Sequence, residues 1–289
     1  MSIANVNGEF VPLADATISV FDRGFMFADG VYEVAAVIDR HLVDNEAHLL
    51  RLKRSLGELR IESPVPLDKL GELMAELVRR NDLVEGTLYL QITRGVGNRE
   101  FVFPEGTKAT LVMLTQSRDL VNSAVAERGI RVITVPDIRW KRRDIKTVAL
   151  VAQVMAKQAA KEAGADEAWM VEDGNVTEGG SSNAFIATHS GAIVTRKADN
   201  SILSGITRNA VLALAAEQGI TLEERPFSVD EAYEATEAFL TSASTFVLPI
   251  VEIDDRKIGD GMPGPLARRL REIYLDFARN PVSAHPAAQ

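Results

Sequence analysis

One lysine stands where its amine could act on a carbonyl compound. Lys146 follows a basic cluster at residues 139–143 and precedes an apolar stretch. The spacing of that stretch predicts a helix that starts near Thr147, with a buried face formed by Val148, Val151, Ala152, Val154 and Met155. At the start of such a helix, burial and the positive end of the helix dipole would both favour the uncharged amine. An uncharged lysine can form a Schiff base with an aldehyde or ketone, although a solvated lysine without a chemical role is the alternative on this segment alone.

A carboxylate and two glycines follow later in the chain. Glu178 lies in the segment VTEGGSSNAF, just after a predicted strand. A carboxylate can keep a pyridine nitrogen protonated, which makes the ring an electron sink. Gly179 and Gly180 would let the backbone approach a flat ligand closely. The competing interpretation is a glutamate that caps a glycine-rich turn.

Two further segments could bind a phosphate group. Residues 204–208 read SGITR before a predicted helix, and Gly205 would let the amides of Ile206 and Thr207 point out of the helix start. Residues 241–244 read TSAS, a strand end whose hydroxyl groups could donate to the same phosphate. Arg51, on the polar side of an earlier helix, could supply a charge. The plain alternatives are a helix N-cap for SGITR and an ordinary exposed arginine for Arg51.

Tyr32, Glu33 and Val34 lie on a predicted strand that follows Gly30. Alternation along a strand puts Tyr32 and Val34 on one face and Glu33 on the other. Two side chains could therefore face a pocket, although a core tyrosine is the simpler explanation.

Helices and strands are mixed along the chain without a regular alternation, which favours an α+β fold over a doubly wound sheet. Strands are predicted over 18–21, 31–38, 87–93, 109–114 and 130–135, helices over 45–60, 67–80, 207–218 and 265–279, and a loop over 25–29. Hairpin turns are expected at Asp173-Gly174 and Ser190-Gly191. The predicted domains are a small N-terminal domain over 1–118, a linker over 119–125, a larger C-terminal domain over 126–279 and a disordered tail over 280–289.

Composition argues against several classes of function. The 289 residues are 46% hydrophobic and 25% charged, which is ordinary for a globular protein. A formal net charge of -9 argues against a nucleic-acid-binding surface. The lack of cysteine and the scatter of the four histidines argue against a zinc hydrolase, and we expect no bound metal. We expect a cytoplasmic protein that has no signal peptide and does not bind membranes or nucleic acids.

Five segments appear in an order that resembles one enzyme family: DGVYEV at 29–34, HLLRL at 48–52, DIK at 144–146, TEGGSSN at 177–183 and SGITR at 204–208. They are similar to the fold-type IV pyridoxal-phosphate enzymes, which include D-amino-acid aminotransferases, branched-chain aminotransferases, (R)-amine transaminases and aminodeoxychorismate lyases. The likeness is greatest to the D-amino-acid (D-alanine) aminotransferase branch, through DGVYEV, DIRWKRRDIK and RGVGNREFVFP. It implies a homodimer of two-domain α+β subunits. Each subunit would have a smaller α/β N-terminal domain, a larger C-terminal domain with a pseudo-barrel sheet, and pyridoxal 5′-phosphate between them.

The resemblance also implies a role for each site residue. Lys146 would be the catalytic Schiff-base lysine, and Glu178 the partner of the pyridine nitrogen. The other cofactor contacts would come from Arg51, Ser181, Ser182, Leu203, Gly205, Ile206, Thr207, Ser242 and Ala243. Substrate contacts would come from Tyr32, Val34, Arg99 and Phe101. Arg139 would not contact the substrate itself but would support Tyr32 or Glu33.

Two positions depart from the family pattern. The D-amino-acid branch usually has a histidine where this sequence has Phe101, and loss of that donor would weaken carboxylate binding or shift the preference towards apolar substrates. Ala243 stands where the family usually has a threonine hydroxyl for the phosphate. The backbone N–H of Ala243 remains, and Ser242 or Ser244 could compensate.

The sequence therefore predicts a transaminase that moves an amino group from a D-amino acid, D-alanine or similar, to a 2-oxo acid by a ping-pong mechanism. A branched-chain aminotransferase and an (R)-amine transaminase are the alternatives within the family, and aminodeoxychorismate lyase is a less favoured one. Outside the enzymes, the alternative is a binding protein in which Lys146 is structural.

Overall fold

The computed structural model describes residues 2–279, which form two compact units. The first comprises the chain up to Asp119 together with Ile145–Ala149, and the second comprises Leu120–Asp144 and the described residues from Leu150 onward. The sequence analysis assigned residues 145–149 to the C-terminal domain, whereas their contacts are with the first unit. The tail over 280–289, predicted to be disordered, lies outside the described residues.

The first unit is built on a six-stranded sheet. Its strands are β1 (Ile3–Val6), β2 (Glu9–Pro12), β3 (Gly30–Ile38), β4 (His41–Leu42), β5 (Gly86–Thr93) and β6 (Thr110–Ser117). They pair in the order β2-β1-β6-β5-β3-β4, and these pairs are antiparallel. The helices of this unit are α1 (Arg23–Phe27), α2 (Asn45–Glu58) and α3 (Leu67–Arg80), with a 3-10 turn at Leu13–Asp15.

Helices α2 and α3 pack on this sheet and close its core. The apolar positions recur at helical spacing, so each helix turns one stripe towards the strands. Leu52 and Leu56 of α2, with Leu70, Met74 and Leu77 of α3, are at most 3% exposed. The bounds predicted for α3 are confirmed.

Two sequence-based assignments near the N-terminus are wrong. Residues 18–21 form no strand, and the segment expected to be a loop before Gly30 contains most of α1. Asp22 caps this short helix by accepting a hydrogen bond from the Gly24 N–H at 2.8 Å. It also accepts one from Thr93 Oγ1 of β5 at 2.9 Å. This second contact joins distant parts of the chain, so local sequence does not reveal it.

The second unit carries a larger, mixed sheet. Its strands are β7 (Ile130–Pro136), β8 (Glu167–Glu172), β9 (Asn175–Gly179), β10 (Asn183–Ala187), β11 (Ile193–Thr195), β12 (Leu222–Glu224), β13 (Glu237–Ser242), β14 (Phe246–Ile253) and β15 (Arg256–Lys257). Their order is β12-β11-β10-β13-β14-β7-β8-β9, with β15 paired to β14. The pairs β11–β12, β14–β7 and β7–β8 are parallel, whereas β10 pairs with β11 and β13 in antiparallel fashion. This mixture of strands and helices confirms the predicted α+β class.

The helices of the second unit are α4 (Ala124–Arg128), α5 (Val151–Glu162), α6 (Ile206–Glu217), α7 (Val229–Tyr233) and α8 (Pro265–Arg279). Helices α6 and α8 contact each other, and both contact β13. The expected hairpins are confirmed, since Asp173-Gly174 joins β8 to β9 and Ser190-Gly191 joins β10 to β11. Within residues 2–279, no helix combines the length and the apolar character that a membrane span requires.

The helix predicted to start near Thr147 begins instead at Val151, and its predicted buried face is wrong. Thr147 forms a β-bridge with Val31, and the Val148 N–H donates to the Gly30 carbonyl at 3.1 Å. These contacts tie residues 146–148 to the start of β3, so the helix cannot start there. On α5 the buried positions are Ala156 and Ala160, whereas Val151, Val154 and Met155 are 73%, 63% and 56% exposed.

Candidate active site

Lys146 lies on the segment before α5 that is hydrogen-bonded to the first residues of β3. Its carbonyl accepts a hydrogen bond from the Tyr32 N–H at 3.0 Å, and its N–H lies 3.4 Å from Ser55 Oγ. The neighbouring Ile145 is buried in the core of the first unit. The backbone of Lys146 is therefore fixed on both sides of the residue. Because α5 begins five positions later and a helix dipole acts only within its first turn, the dipole argument made from the sequence does not apply.

The amine of Lys146 lies over an aromatic ring. Its Nζ is 4.3 Å from the ring centroid of Tyr32, within the range of a cation–π contact. Tyr32 stacks on Tyr89 with centroids 5.7 Å apart, and Val34 pairs with Tyr89 in the sheet. Burial raises the pKa of Tyr89 to about 12, so this phenol stays protonated. Two predicted site residues, Lys146 and Tyr32, are thus in contact within the first unit.

Glu33 faces the other way, towards α2. Arg51 donates to it twice, from Nε to Oε1 at 2.8 Å and from Nη2 to Oε2 at 2.7 Å, and His48 Nδ1 lies 2.7 Å from Oε2. Burial alone would raise the pKa of Glu33, but Arg51 and His48 lower it to about 2. The carboxylate is therefore ionised and fixes the guanidinium of Arg51. The opposite directions of Tyr32 and Glu33 agree with strand alternation.

Arg99 and Phe101 lie between β5 and β6. Both are exposed, Phe101 by 82%. Arg99 Cζ lies 5.7 Å from the ring centroid of Phe27, and the Phe101 ring lies 5.6 Å from the same ring. Arg23 fixes this stretch by donating to the Glu100 carbonyl at 2.6 Å. The two predicted substrate residues therefore share one aromatic neighbour, which the sequence analysis did not identify.

In the second unit, Glu178 is the centre of a buried hydrogen-bond network. Arg139 Nη1 donates to its Oε1, and Asn183 Nδ2 donates to its Oε2 at 3.1 Å. The Leu203 N–H lies 3.4 and 3.2 Å from the two carboxylate oxygens. The side chain of Glu178 is only 7% exposed. A carboxylate held in this way has a fixed direction, which suits it to a protonated ring nitrogen.

Arg139 pairs with two carboxylates, whereas the resemblance implied that it supports Tyr32 or Glu33. Its Nη2 and Nε donate to Asp137 at 2.7 and 3.0 Å, in addition to the bond with Glu178. Burial by itself lowers the pKa of Arg139, but Glu178 and Asp137 raise it above its ordinary value. The difference from the expectation arises because these two buried negative charges occupy three of its side-chain donors.

Asn183 links Glu178 to the segment before α6. Its Nδ2 also donates to the Leu203 carbonyl at 2.9 Å. A Cβ on Gly205 would collide with Asn183 Oδ1, so a larger residue would displace this amide. Asn183 begins β10 and pairs with Thr241 of β13. This one buried amide therefore brings together the TEGGSSN, SGITR and TSAS segments.

Besides Ser182 Oγ, two buried hydroxyl oxygens lack a hydrogen-bond partner within residues 2–279. They are Thr207 Oγ1, in the first turn of α6, and Thr241 Oγ1, near the end of β13. Buried polar atoms are normally hydrogen-bonded, so both hydroxyl groups are available to an acceptor such as phosphate. The first N–H groups of α6, those of Ile206 and Thr207 among them, have no partner inside the helix and favour an anion.

The turn between β13 and β14 carries further hydroxyl groups. Ser242 Oγ lies 2.8 Å from Thr245 Oγ1 and 3.3 Å from Ser244 Oγ. The Thr245 N–H also points at Ser242 Oγ, at 3.2 Å. Ala243 lies within this turn and is half-buried. The hydroxyls on either side of Ala243 therefore form a compact cluster, which we call the hydroxyl turn (residues 242–245).

Ser181 and Ser182 differ in environment. Ser181 is exposed, whereas Ser182 is buried and its Oγ lies where a Cβ on Gly179 would be. A Cβ on Gly180 would come within 3.0 Å of the Lys157 side chain. Packing inside the second unit is therefore sufficient to explain both glycines, which the sequence analysis attributed to a flat ligand.

The family model for amino-transferase class IV matches residues 30–253 of this 289-residue chain. The chain is a class IV aminotransferase. The fold-type IV resemblance stated from the motifs is thereby confirmed, and so is the expectation of an enzyme that transfers amino groups.

Curated relatives of this class IV aminotransferase include two D-alanine aminotransferases. That of Staphylococcus haemolyticus is 37% identical over 94% of this chain and 96% of its own length. That of Bacillus licheniformis is 37% identical over 92% of this chain and 93% of its own length. Among solved structures, the T.th. branched-chain amino acid aminotransferase with pyridoxamine 5′-phosphate matches with a TM-score of 0.90 at 29% identity, covering 97% of this chain and 96% of that chain.

Sequence reasoning missed three residues that fix predicted site residues of this aminotransferase. His48 and Asn183 stood inside the HLLRL and TEGGSSN motifs, so a buried polar residue within a motif was a usable signal. Asp137 is the first residue of the DIRWKRRDIK segment, but nothing in that segment marked it as a partner of Arg139. It becomes visible only through its contacts with Arg139 and with Thr177 Oγ1 at 2.6 Å.

Proposed function

We propose that this class IV aminotransferase uses pyridoxal 5′-phosphate to move an amino group from a D-amino acid, D-alanine or a close analogue, to a 2-oxo acid. The observation that carries the choice of substrate is the 37% identity with a D-alanine aminotransferase over 94% of the chain. Branched-chain aminotransferase and (R)-amine transaminase are the alternatives, and aminodeoxychorismate lyase is less favoured. We also propose a cytoplasmic location, which cell fractionation would test.

The residues of the second unit fit a phosphorylated pyridine cofactor. Glu178 offers a buried carboxylate of fixed direction for the ring nitrogen. The hydroxyl groups of Thr207 and Thr241 and the N–H groups at the start of α6 fit a phosphate. When bound, pyridoxal phosphate supplies a carbonyl carbon that takes up the amino group and a ring that delocalises charge from the substrate α-carbon.

We assign the catalytic role to Lys146. Its amine would hold the cofactor and, once freed by the substrate amine, would take the proton from the substrate α-carbon and later return it, as a base and then as an acid. The contact with the Tyr32 ring and the fixed backbone restrict where this amine can lie. Glu178 would keep the ring nitrogen protonated, and Arg139 and Asn183 would hold Glu178 in place.

Tyr32, Val34, Arg99 and Phe101 are the proposed substrate contacts. The guanidinium of Arg99 can pair with a substrate carboxylate, and Phe101 offers an exposed apolar ring. In a ping-pong mechanism the amino donor and the 2-oxo acid use the same groups in turn. Because Phe101 is apolar, we expect D-amino acids with apolar side chains to be accepted along with D-alanine.

We further propose that the enzyme is a homodimer. Val151, Val154 and Met155 of α5 form an apolar face that is more than half exposed on the single chain, and such a face is typical of an interaction surface. In a Val154→Glu variant, a charge would lie in this face, and sedimentation equilibrium should show a monomer. Lys53→Glu, an exposed change on α2, is the control and should remain dimeric. A monomeric wild type, or a dimeric Val154→Glu protein, would reject this part of the proposal.

The first test of the reaction is the visible absorption spectrum of the protein with pyridoxal phosphate. Addition of D-alanine, D-glutamate, L-leucine or (R)-1-phenylethylamine in separate cuvettes should remove the band of the bound cofactor only with the D-amino acids. Loss of the band with L-leucine would favour the branched-chain alternative, and loss with the carboxylate-free amine would favour the (R)-amine transaminase. Repeated release of pyruvate from added aminodeoxychorismate, without any 2-oxo acid acceptor, would favour the lyase. A protein that binds no cofactor would refute the proposal.

A further inference from the structure

Arg271 is a buried arginine whose hydrogen bonds, among the described residues 2–279, all go to backbone carbonyls. It lies on α8 and is 8% exposed. Nη1 donates to the carbonyls of Thr245 and Val247 at 2.6 and 3.0 Å, and Nη2 to those of Leu120 and Val121 at 2.8 and 3.2 Å. Burial lowers the pKa of Arg271, and no carboxylate within residues 2–279 opposes that effect.

Burying an arginine without a counter-ion costs free energy, so the groups that Arg271 holds in place indicate its role. An arginine side chain keeps its charge in proteins, and a buried charge without a counter-ion is stable only if dipoles surround it. Here four carbonyl dipoles do so. Two of them belong to Thr245 and Val247, at the end of the hydroxyl turn and on the strand that follows it.

The chain leaves the hydroxyl turn in a conformation that needs outside support. Phe246 has a φ of 58°, in the left-handed region that bulky residues rarely adopt, and it is fully buried. Its ring packs on Tyr274 of α8 with centroids 5.4 Å apart, and Arg271 Cζ lies 5.7 Å from its centroid. Helix α8 therefore fixes the end of this turn in two ways: Arg271 binds its backbone carbonyls, and Tyr274 packs on the side chain of Phe246.

We propose that Arg271 is a positioning residue for the phosphate end of the cofactor. It acts through the hydroxyl turn: by fixing the carbonyls on either side of Phe246, it sets the directions of the hydroxyl and N–H groups at residues 242–245. The inference rests on the proposed function, since it assumes a phosphorylated cofactor. Without Arg271, phosphate binding would have to order this turn, and ordering even one residue lowers affinity by about tenfold.

An Arg271→Met variant tests this directly, because methionine keeps much of the apolar length and removes the guanidinium. The dissociation constants of pyridoxal phosphate and of pyridoxal, which lacks the phosphate, are measured with wild type and variant. Lys146 and Glu178 act on both compounds, so their effects cancel in the ratio of the two constants. We expect the preference for pyridoxal phosphate to fall by at least about tenfold, with the affinity for pyridoxal changing by less than about twofold. Hydrogen exchange at amides 243–246 should also become faster.

Two variants of the same helix serve as controls. Leu270→Ala removes a buried side chain and destabilises the protein without touching the turn carbonyls, so the preference should stay unchanged. Arg269→Met removes an exposed arginine that contacts Gln218, with the same expectation.

If Arg271→Met does not fold, Arg271→Lys gives the answer, because one ammonium group cannot serve both pairs of carbonyls and the preference should fall by a smaller factor. An unchanged preference in the Arg271 variant that folds would overturn the inference. A wild type that itself fails to prefer pyridoxal phosphate would be a different result, since it would refute the proposed function.

Discussion

Replacing Arg139 by methionine removes the shared partner of two buried carboxylates. The guanidinium donates one hydrogen bond to Glu178 and two to Asp137. The side chains of Arg139, Asp137 and Glu178 are 6%, 0% and 7% exposed. In Arg139→Met both carboxylates stay buried, and neither can reach water without disturbing the strands around it.

The expected loss of unfolding free energy follows from this burial. Removing one partner of a buried ion pair costs about 3–5 kcal/mol. Arg143 Nε still lies 3.4 Å from Asp137 Oδ2 in the variant, so we expect a loss at the lower end of that range, about 3 kcal/mol. The nearby pair of Lys141 with Glu172 provides the comparison, since the Lys141 side chain is 79% exposed. Loss of such a surface pair costs about 0–1 kcal/mol. Arg139→Met and Lys141→Met should therefore differ severalfold in their effect on stability.

The effect of Arg139→Met should also depend on pH. In wild type, burial would raise the pKa of Asp137, but Arg139 holds it below its ordinary value. A carboxylate with a lowered pKa stabilises the fold above its unfolded pKa, and that contribution is lost only as the pH falls through the lower folded value. In the variant, the Thr177 hydroxyl still donates to Asp137 and Arg143 Nε lies 3.4 Å from its Oδ2, but the loss of Arg139 moves the pKa of Asp137 upward. The ionised carboxylate is therefore less stabilised in the folded state at neutral pH, and protonation relieves part of that loss. The stability difference from wild type should therefore be larger at about pH 8 than at about pH 5.

Tryptophan fluorescence during urea unfolding is a suitable assay. Both tryptophans, Trp140 and Trp169, lie in the second unit, so the signal reports that unit. Arg139→Lys keeps the charge but not the forked geometry, and its loss should fall between those of Arg139→Met and Lys141→Met. A loss below about 1 kcal/mol in Arg139→Met, or a difference from wild type that grows towards acid pH, would refute the reasoning.

Three further changes have defined outcomes. Lys146→Ala should abolish transamination without altering the far-ultraviolet circular dichroism spectrum, and any measurable turnover would contradict the catalytic assignment. Gly205→Ala forces a Cβ against Asn183 Oδ1, so we expect the free energy of unfolding to fall by about 1–3 kcal/mol. The purified variant should also contain less pyridoxal phosphate than the wild type. An equal pyridoxal phosphate content would show that this amide can move freely. Burial would raise the pKa of Glu33, yet Arg51 holds it at about 2 against an ordinary 4.5, so this carboxylate contributes about 3 kcal/mol above pH 4.5 that is lost as the pH falls towards 2. The free energy of unfolding of Glu33→Gln, measured in urea by circular dichroism, should therefore vary less with pH over that range than that of the wild type. An unchanged pH dependence would exclude Glu33 as its source.

Elements with strong local signals were predicted well. The bounds of α3 and α8 match the structure, since α3 has a clear apolar stripe and Pro265 is tolerated in the first turn of α8. The hairpins at residues 173–174 and 190–191 follow from their turn residues. Helix α1 was missed because Asp22, its cap, is held by a side chain of β5, far away in the sequence.

The site was predictable as motifs but not as a network. Lys146, Glu178 and Thr207 each stand in a recognisable segment. Asn183 lies in the same segment as Glu178 and meets it across the tight turn between β9 and β10. Arg139, which links Asp137 to Glu178, comes from the part of the chain that follows β7. Strand pairing decides such contacts, and strand pairing is not a local property of the sequence.

The error at α5 has a physical cause that bears on function. Apolar spacing predicts that a helix has two faces, but the rule that the larger apolar side chains lie inside fails here. Ala156 and Ala160 pack with Ala168 and Met170 of β8, and these small side chains let the helix approach the sheet closely. Val151, Val154 and Met155 point away from the sheet, where water would surround them on a single chain. The same observation that corrects the predicted core therefore supports the proposed dimer, because a second copy could cover this face.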